Sequence, residues 1–148
     1  MAEPLTETQQ ASWRAFIESS WALHTRLEDD LRAATGLSMS DYHVMVTLSE
    51  APGHRMRMGE LAGHMVFSPS RLTYQISSMV KRGLVRKQPC PEDGRGQEAV
   101  LTEAGLAALV AAAPQHLATV RDSFIDHLGD DELAVLGRVF GRIRPEVQ

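Results

Sequence analysis

The stretch "SPSRLTYQISSMVKRG", from Ser68 to Gly83, sorts by helical spacing into two sides. Ser70, Arg71, Thr73, Tyr74, Ser77, Ser78 and Lys81 fall on one, and Leu72, Ile76, Met79 and Val80 on the other. The polar side offers hydroxyls, a phenol and cations. Such a set can hydrogen-bond and neutralise a polyanion, but it contains no nucleophile paired with a base. Shortly after it, "CPEDGRGQEAVLTEAG" sets Asp93 and Arg95 among glycines at the tip of an expected hairpin. Gly94 and Gly96 let the backbone turn sharply and approach a surface closely, and Arg95 supplies charge there. A solvated turn with incidental charges is the plain alternative.

The elements that must hold these residues follow from periodicity. Trp13, Phe16, Ile17, Leu23, Leu27 and Leu31 recur at three- and four-residue steps, which predicts a long helix from about Glu7 to Thr35, before Gly36. Ser40 is expected to cap a second helix carrying Val44, Met45 and Leu48, ending at Pro52-Gly53. A turn with Arg55 and Arg57 leads to a short third helix, about Met58 to Met65. The fourth has Ser68 as N-cap, Pro69 at its first position and Gly83 at its end. "LVRKQP" and "QEAVLT" read as the two strands of the hairpin, with its turn from about Cys90 to Gly96. Two more helices are predicted, an alanine-rich one to about Leu128 and another from Asp130, which can cap it, to about Ile143.

Totals bound the function. The chain has 148 residues, 43% hydrophobic and 23% charged, as one ordinary globular domain would. No run is long enough for a membrane span and the start lacks signal-peptide character, so a cytoplasmic location is expected. The formal charge of −4 argues against a nucleic-acid partner only on average. Between His54 and Arg95 eight Lys and Arg face three acids, a net +5, which leaves −9 for the remainder. Segregated charge lets one part face a polyanion while the rest avoids it.

Two helices joined by a tight turn, the second capped and polar outside, predict a helix-turn-helix whose later helix can lie in a DNA major groove. Helical bundles also contain such pairs for packing alone. A ribbon tipped by Arg95 directly afterwards adds a cation suited to the neighbouring minor groove. With these residues in view, "MGELAGHMVFSPSRLTYQISSMVKRGLVRKQPCPEDGRGQEAVLTEAG", Met58 to Gly105, resembles the winged helix-turn-helix core of the MarR family of transcriptional regulators. Asp-x-Arg followed by "VLTEAG" is the most specific part of the likeness.

The fold class expected is therefore mainly α with a small β-hairpin wing. Residues 38–102 would form the DNA-binding lobe, and residues 7–35 and 103–145 the dimerisation helices, within one unit over 1–148. The resemblance implies a homodimer on a pseudo-palindromic duplex operator, most simply a repressor by occupancy, with no cofactor and no catalysis. Expected DNA contacts are Ser68, Ser70, Arg71, Thr73, Tyr74, Ser77 and Lys81 on the fourth helix, and Arg86 and Arg95 on the wing. Asp93 is expected to pair with a nearby arginine and hold the tip, as the resemblance implies. Many relatives carry a basic residue where Tyr74 and Ser78 stand, which implies fewer phosphate contacts or a different half-site. Arg55, Arg57, Arg86 and Lys87 can add backbone contacts or remain solvated surface charges.

The resemblance also implies a small aromatic or phenolic effector bound between the dimerisation helices and the DNA-binding lobe. Trp13, Trp21, His24, Tyr42 and His43 are the candidate lining, although tryptophans at helical spacing also serve plain packing. Two other sensors are weighed. Cys90, the only cysteine, would be an oxidisable thiol in an exposed turn between Pro89 and Pro91, without a resolving partner. The six histidines are scattered, with none paired at i and i+4, so no metal site is expected. A helical module that uses its basic face for an acidic protein is the remaining alternative.

Overall fold

The computed structural model describes Met1, residues 3–92 and residues 94–147. Helix α1 (Glu7–Thr35) opens with a capping box, in which Thr6 and Gln9 each satisfy the other's backbone N–H, and closes on Gly36 at φ 74°. Helix α2 (Met39–Glu50) is capped by Ser38 rather than Ser40. Ser38 wins because Asp41 three residues on completes the reciprocal box: Asp41 N–H donates to Ser38 Oγ and Ser38 N–H to Asp41 Oδ2, both at 3.0 Å. A helical turn at Pro52–His54 leads into β1 (Arg55–Arg57), then α3 (Met58–Met65) and α4 (Pro69–Lys81). Strands β2 (Val85–Pro89) and β3 (Gln97–Leu101) form the wing, and α5 (Glu103–Ser123) and α6 (Asp130–Val147) complete the chain.

Two further expectations change. Arg55 and Arg57 lie on a third strand and not in a turn, pairing antiparallel with β3 so that the sheet order is β1-β3-β2. Three residues are too few to show an alternating pattern, and β1 exists only because β3 presents an edge to it. Helix α5 stops at Ser123 instead of about Leu128, because Phe124 leaves helical geometry at φ −142°, ψ −63° and a short turn at Ile125–His127 follows.

The core lies where α2, α3, α4 and the sheet meet the ends of α1 and α5. Leu31, Val44, Met45, Leu48, Leu61, Leu72, Ile76, Met79 and Val85 are almost wholly buried there. Three polar ties join the helices around it. Met39 N–H donates to Glu28 Oε2 at 2.7 Å, so α1 receives the start of α2. Thr119 on α5 donates to Asp30 on α1 at 3.3 Å. The third is deeper: Arg82, at the end of α4, donates to both oxygens of the buried Asp41 at 2.8 and 2.7 Å, and Gln75 adds a bond of 2.6 Å.

The "LTEAG" junction shows why those residue types stand together. Thr102 caps α5 by accepting from Gly105 N–H at 2.9 Å, and its hydroxyl donates to the Gly83 carbonyl at 2.6 Å, with the Leu84 carbonyl next at 3.0 Å. Gly105 packs so closely that a Cβ would sit 2.0 Å from the Leu84 carbonyl oxygen. One threonine and one glycine thus weld the wing, the end of α4 and α5 into a fixed arrangement. No helix among the described residues is long and apolar enough to cross a membrane.

Candidate nucleic-acid interface and adjoining cavity

Helix α4 buries Leu72, Ile76 and Met79 and exposes Ser70, Arg71, Thr73, Tyr74, Ser77 and Lys81. The division follows the sequence pattern, except that Val80 is 40% exposed and Ser78 turns inward to accept from Arg82 at 3.2 Å. Ser68 caps the helix as expected, accepting from Arg71 N–H at 3.3 Å, and Pro69 occupies the first turn. Tyr74 stands out at 80% exposure, its phenol projecting from the middle of the outer face. A large side chain so exposed contributes nothing to this chain's own packing, which leaves it available to a partner surface.

The turn before α4 carries local strain. Val66 adopts φ 55°, ψ 42°, a left-handed conformation that a β-branched residue rarely takes. It is nonetheless what reverses the chain between α3 and α4, and its N–H caps α3 on the Ala62 and Gly63 carbonyls.

The wing is pinned close to its tip, where it turns on glycine. Glu98, buried on β3, accepts from Gln88 at 2.7 Å and lies 3.7 Å from Arg55. Arg57 lies 3.6 Å from Glu92. These two arginines therefore serve the sheet, in addition to any contact beyond it. Gly94 and Gly96 hold φ 62° and 75°, which explains their type, and Arg86 and Arg95 are exposed. Asp93 and its expected pairing lie outside the described residues.

Cys90 is a correction. The flanking prolines suggest an exposed turn, but its side chain is only 2% exposed. The tip curls back on itself, with Cys90 N–H donating to Gly96 O at 3.3 Å and Gly94 N–H to Cys90 O at 3.0 Å. A thiol enclosed in this way lacks the access a redox sensor needs.

Behind α4, a cavity of about 430 Å3 lies among α1, α2, α4 and α5. Its lining includes His24, Tyr42 and His43, three of the candidates, together with Phe67, Arg71 and His116. Trp13 and Trp21 are not brought to it; they sit on the outside of α1 at 55% and 67% exposure. His116 packs against Tyr42 with ring centroids 4.3 Å apart, and its buried Nδ1 has no hydrogen-bond partner among the described residues. Burial lowers the His116 imidazole below its ordinary value and raises the Tyr42 phenol above its own. His43 is lowered too, by burial first and then by the charges of Arg144 and His64. Met39, Val46 and Met65 supply apolar surface. Neutral imidazoles, a phenol and apolar walls suit a small planar molecule. Among the described residues, no group of three or more His, Cys, Asp or Glu is placed to hold a metal ion.

Sequence reasoning did not find His116, Phe67 or the Asp41–Arg82–Gln75 cluster. Only the last left a readable trace, the Ser38-x-x-Asp41 capping spacing, and that trace concerns the helix start and not the partner 41 residues away.

Comparison with known proteins bears on this surface. A profile of the MarR family matches residues 37–96. The chain is 42% identical to AbsC, a MarR family transcriptional regulator from Streptomyces coelicolor, with a TM-score of 0.93 and coverage of 99% of this chain and 98% of that one. It is 34% identical to Sco3205, a MarR family regulator from the same organism crystallised in complex with DNA, with a TM-score of 0.95 and coverage of 100% and 92%. It is also 27% identical over 114 residues to the HTH-type transcriptional repressor YetL of Bacillus subtilis (strain 168), spanning 75% of this chain and 68% of that protein.

Proposed function

Because this chain belongs to the MarR family, and is a DNA-binding transcriptional regulator, we propose that it represses as a homodimer on a pseudo-palindromic operator and lets go when a small aromatic or phenolic molecule fills the cavity behind α4. The observation that carries the reading is the outer face of α4. It offers hydroxyls, an exposed phenol and cations without a carboxylate, next to a wing bearing Arg86 and Arg95. Ser68, Ser70, Thr73, Tyr74 and Ser77 are assigned to base edges or sugar-phosphate. Arg71, Lys81, Arg86 and Arg95 are assigned chiefly to phosphates and the minor groove. The relative crystallised with DNA supports this use of the fold.

Residues 38–102 act in this reading as the DNA-binding lobe, and 7–35 with 103–145 as the dimerisation part. Its support is the apolar surface that one subunit leaves uncovered. Trp13, Phe16 and Trp21 on α1, Val110 and Leu117 on α5, and Val135, Phe140 and Ile143 on α6 are all exposed. Phe16 and Phe140 already stack at 5.2 Å, at the rim of an apolar groove of about 460 Å3 between α1 and α6. Exposed apolar surface on this scale marks an interface. Twofold pairing would present two α4 helices to successive major grooves, about 34 Å apart. A cavity occupant regulates only by favouring one spacing of those helices over the other.

The test is duplex selection from a random pool followed by gel shift over a salt series, with sedimentation to give the mass. The expected result is a palindromic consensus, affinity falling steeply with salt yet surviving competitor DNA, and a dimer at working concentration. A monomer, or binding indifferent to sequence, would refute the proposal.

A further inference from the structure

The pairing register gathers arginines around a buried carboxylate on one face of the sheet. Arg55 and Arg57 on β1 lie opposite Val100 and Glu98 of β3, and Arg86 and Gln88 on β2 lie opposite the same two residues from the other side. Glu98 is only 6% exposed. Its Oε1 accepts from Gln88 Nε2 at 2.7 Å and lies 3.7 Å from the Arg55 guanidinium, while Arg57 is drawn to Glu92 at 3.6 Å. Gln88 Oε1 in turn accepts from Arg86 Nε at 3.3 Å. A carboxylate can only accept, so it decides which way the Gln88 amide faces: the NH2 turns in to Glu98 and the carbonyl oxygen is left for Arg86. The orientation of an exposed arginine is thus set by a buried acid two side chains away.

We propose that Glu98 and Gln88 are positioning residues for DNA binding: Glu98 sets the Gln88 amide, Gln88 holds Arg86 by its Nε, and the far edge of the Arg86 guanidinium is thereby presented to a phosphate beside the wing. This rests on the reading that places Arg86 at the duplex, and it adds the residues that aim that arginine. A guanidinium held through Nε keeps both terminal nitrogens for a bidentate contact with phosphate. An arginine already held also loses less side-chain freedom on binding than one that is free in solvent. The sign of the effect separates this role from plain electrostatics. A carboxylate near a duplex repels phosphate, so by charge alone its removal tightens binding. Here the repulsion is muted by the neighbouring Arg55, and the larger consequence of losing Glu98 is a wandering Arg86. Operator binding, which depends on fixed contacts, weakens; binding to unrelated DNA, which depends on charge, does not. An acid on the wing therefore helps the protein to discriminate between duplexes.

The experiment is a double-mutant cycle on E98Q and R86A, in the full chain and with the duplex selected as above, at a temperature where circular dichroism shows every variant folded. Operator affinity should fall about 10-fold for R86A and about 3- to 10-fold for E98Q, and the double variant should bind no more weakly than R86A alone. The slope of log affinity against log salt should shrink for R86A by about one per subunit, and for E98Q in the same direction although that change removes a negative charge. Affinity of E98Q for duplex of scrambled sequence should equal or exceed that of wild type. Q88M breaks the relay while leaving the carboxylate in place, and should match E98Q on the operator; if E98Q does not fold, Q88M takes its place in the cycle. E98Q or Q88M binding the operator as tightly as wild type, losses that multiply in the double variant, or an R86A that binds like wild type would each overturn the assignment. In those cases selection of an operator by the wild type shows that the regulator reading itself stands. Failure to select any duplex would defeat that reading instead.

Discussion

Replacing Asp41 by alanine removes a carboxylate that joins the start of α2 to the end of α4. In the folded chain its oxygens accept from Arg82 at 2.8 and 2.7 Å, from Gln75 at 2.6 Å and from Ser38 N–H at 3.0 Å, and the residue is 3% exposed. Breaking a buried pair by deleting one partner costs about 3–5 kcal/mol when the other charge is left stranded. Arg82 is not stranded: its side chain is 38% exposed and can turn into water, so the loss is set lower, at about 2–3 kcal/mol. For a chain of this size that corresponds to a fall in Tm of roughly 5–10 °C. Urea unfolding of D41A and wild type at one fixed protein concentration measures it.

The pH dependence adds a second, independent check. Burial by itself would raise the Asp41 carboxyl, but the Arg82 hydrogen bonds, the Ser38 N–H and the Arg82 charge together outweigh it, and the net shift is downward. A carboxyl lowered in the folded state contributes stability that is complete above its unfolded value, near about 4, and disappears as pH falls through the folded value. The stability gap between wild type and D41A should therefore be constant from pH 7 to about 5 and narrow on further acidification. A gap below about 0.5 kcal/mol, or one that widens in acid, would refute the reasoning. Because Asp41 also fixes the far end of α4, D41A should lose operator discrimination at temperatures where it remains folded.

Other substitutions examine separate parts of the argument. Gly105→Ala forces a methyl against the Leu84 carbonyl oxygen at 2.0 Å and Leu101 Cδ1 at 2.7 Å, so a loss of at least about 3 kcal/mol is expected, and wild-type Tm would show that the junction can relax. Val66→Gly relieves a left-handed valine at a cost of about 1–2 kcal/mol and gives back about 0.5–1 kcal/mol of unfolded-chain entropy, so a net gain of about 0.5–1 kcal/mol should appear as a Tm higher by roughly 2–4 °C. Arg95→Ala should weaken operator binding and reduce its salt dependence while leaving Tm unchanged; a folded variant with wild-type affinity removes the wing from the contact. Tyr74→Ala should change which duplexes are selected, and a uniform loss across all sequences would move Tyr74 to the DNA backbone.

The chain's own residues determined the helices and the outer face of α4, because both depend on local signals. Periodic apolar positions made α1 and α4 legible, and Ser68-Pro69 marked the start of α4 within one residue. Charge segregation and glycines at 94 and 96 were equally local, and they directed attention to the basic lobe and its wing. Tertiary structure alone decided the rest. Strand β1 needed the edge of β3, Cys90 needed the curl of the tip to bury it, and the guanidinium of Arg82 found Asp41 across 41 residues of chain. The cavity belongs to the same class, since His24, Tyr42, Arg71 and His116 come from four helices and meet only once the core has packed. Periodicity reports the face a residue occupies on its own element, whereas a site depends on how elements approach one another, and that is set by side-chain packing summed over distant parts of the chain.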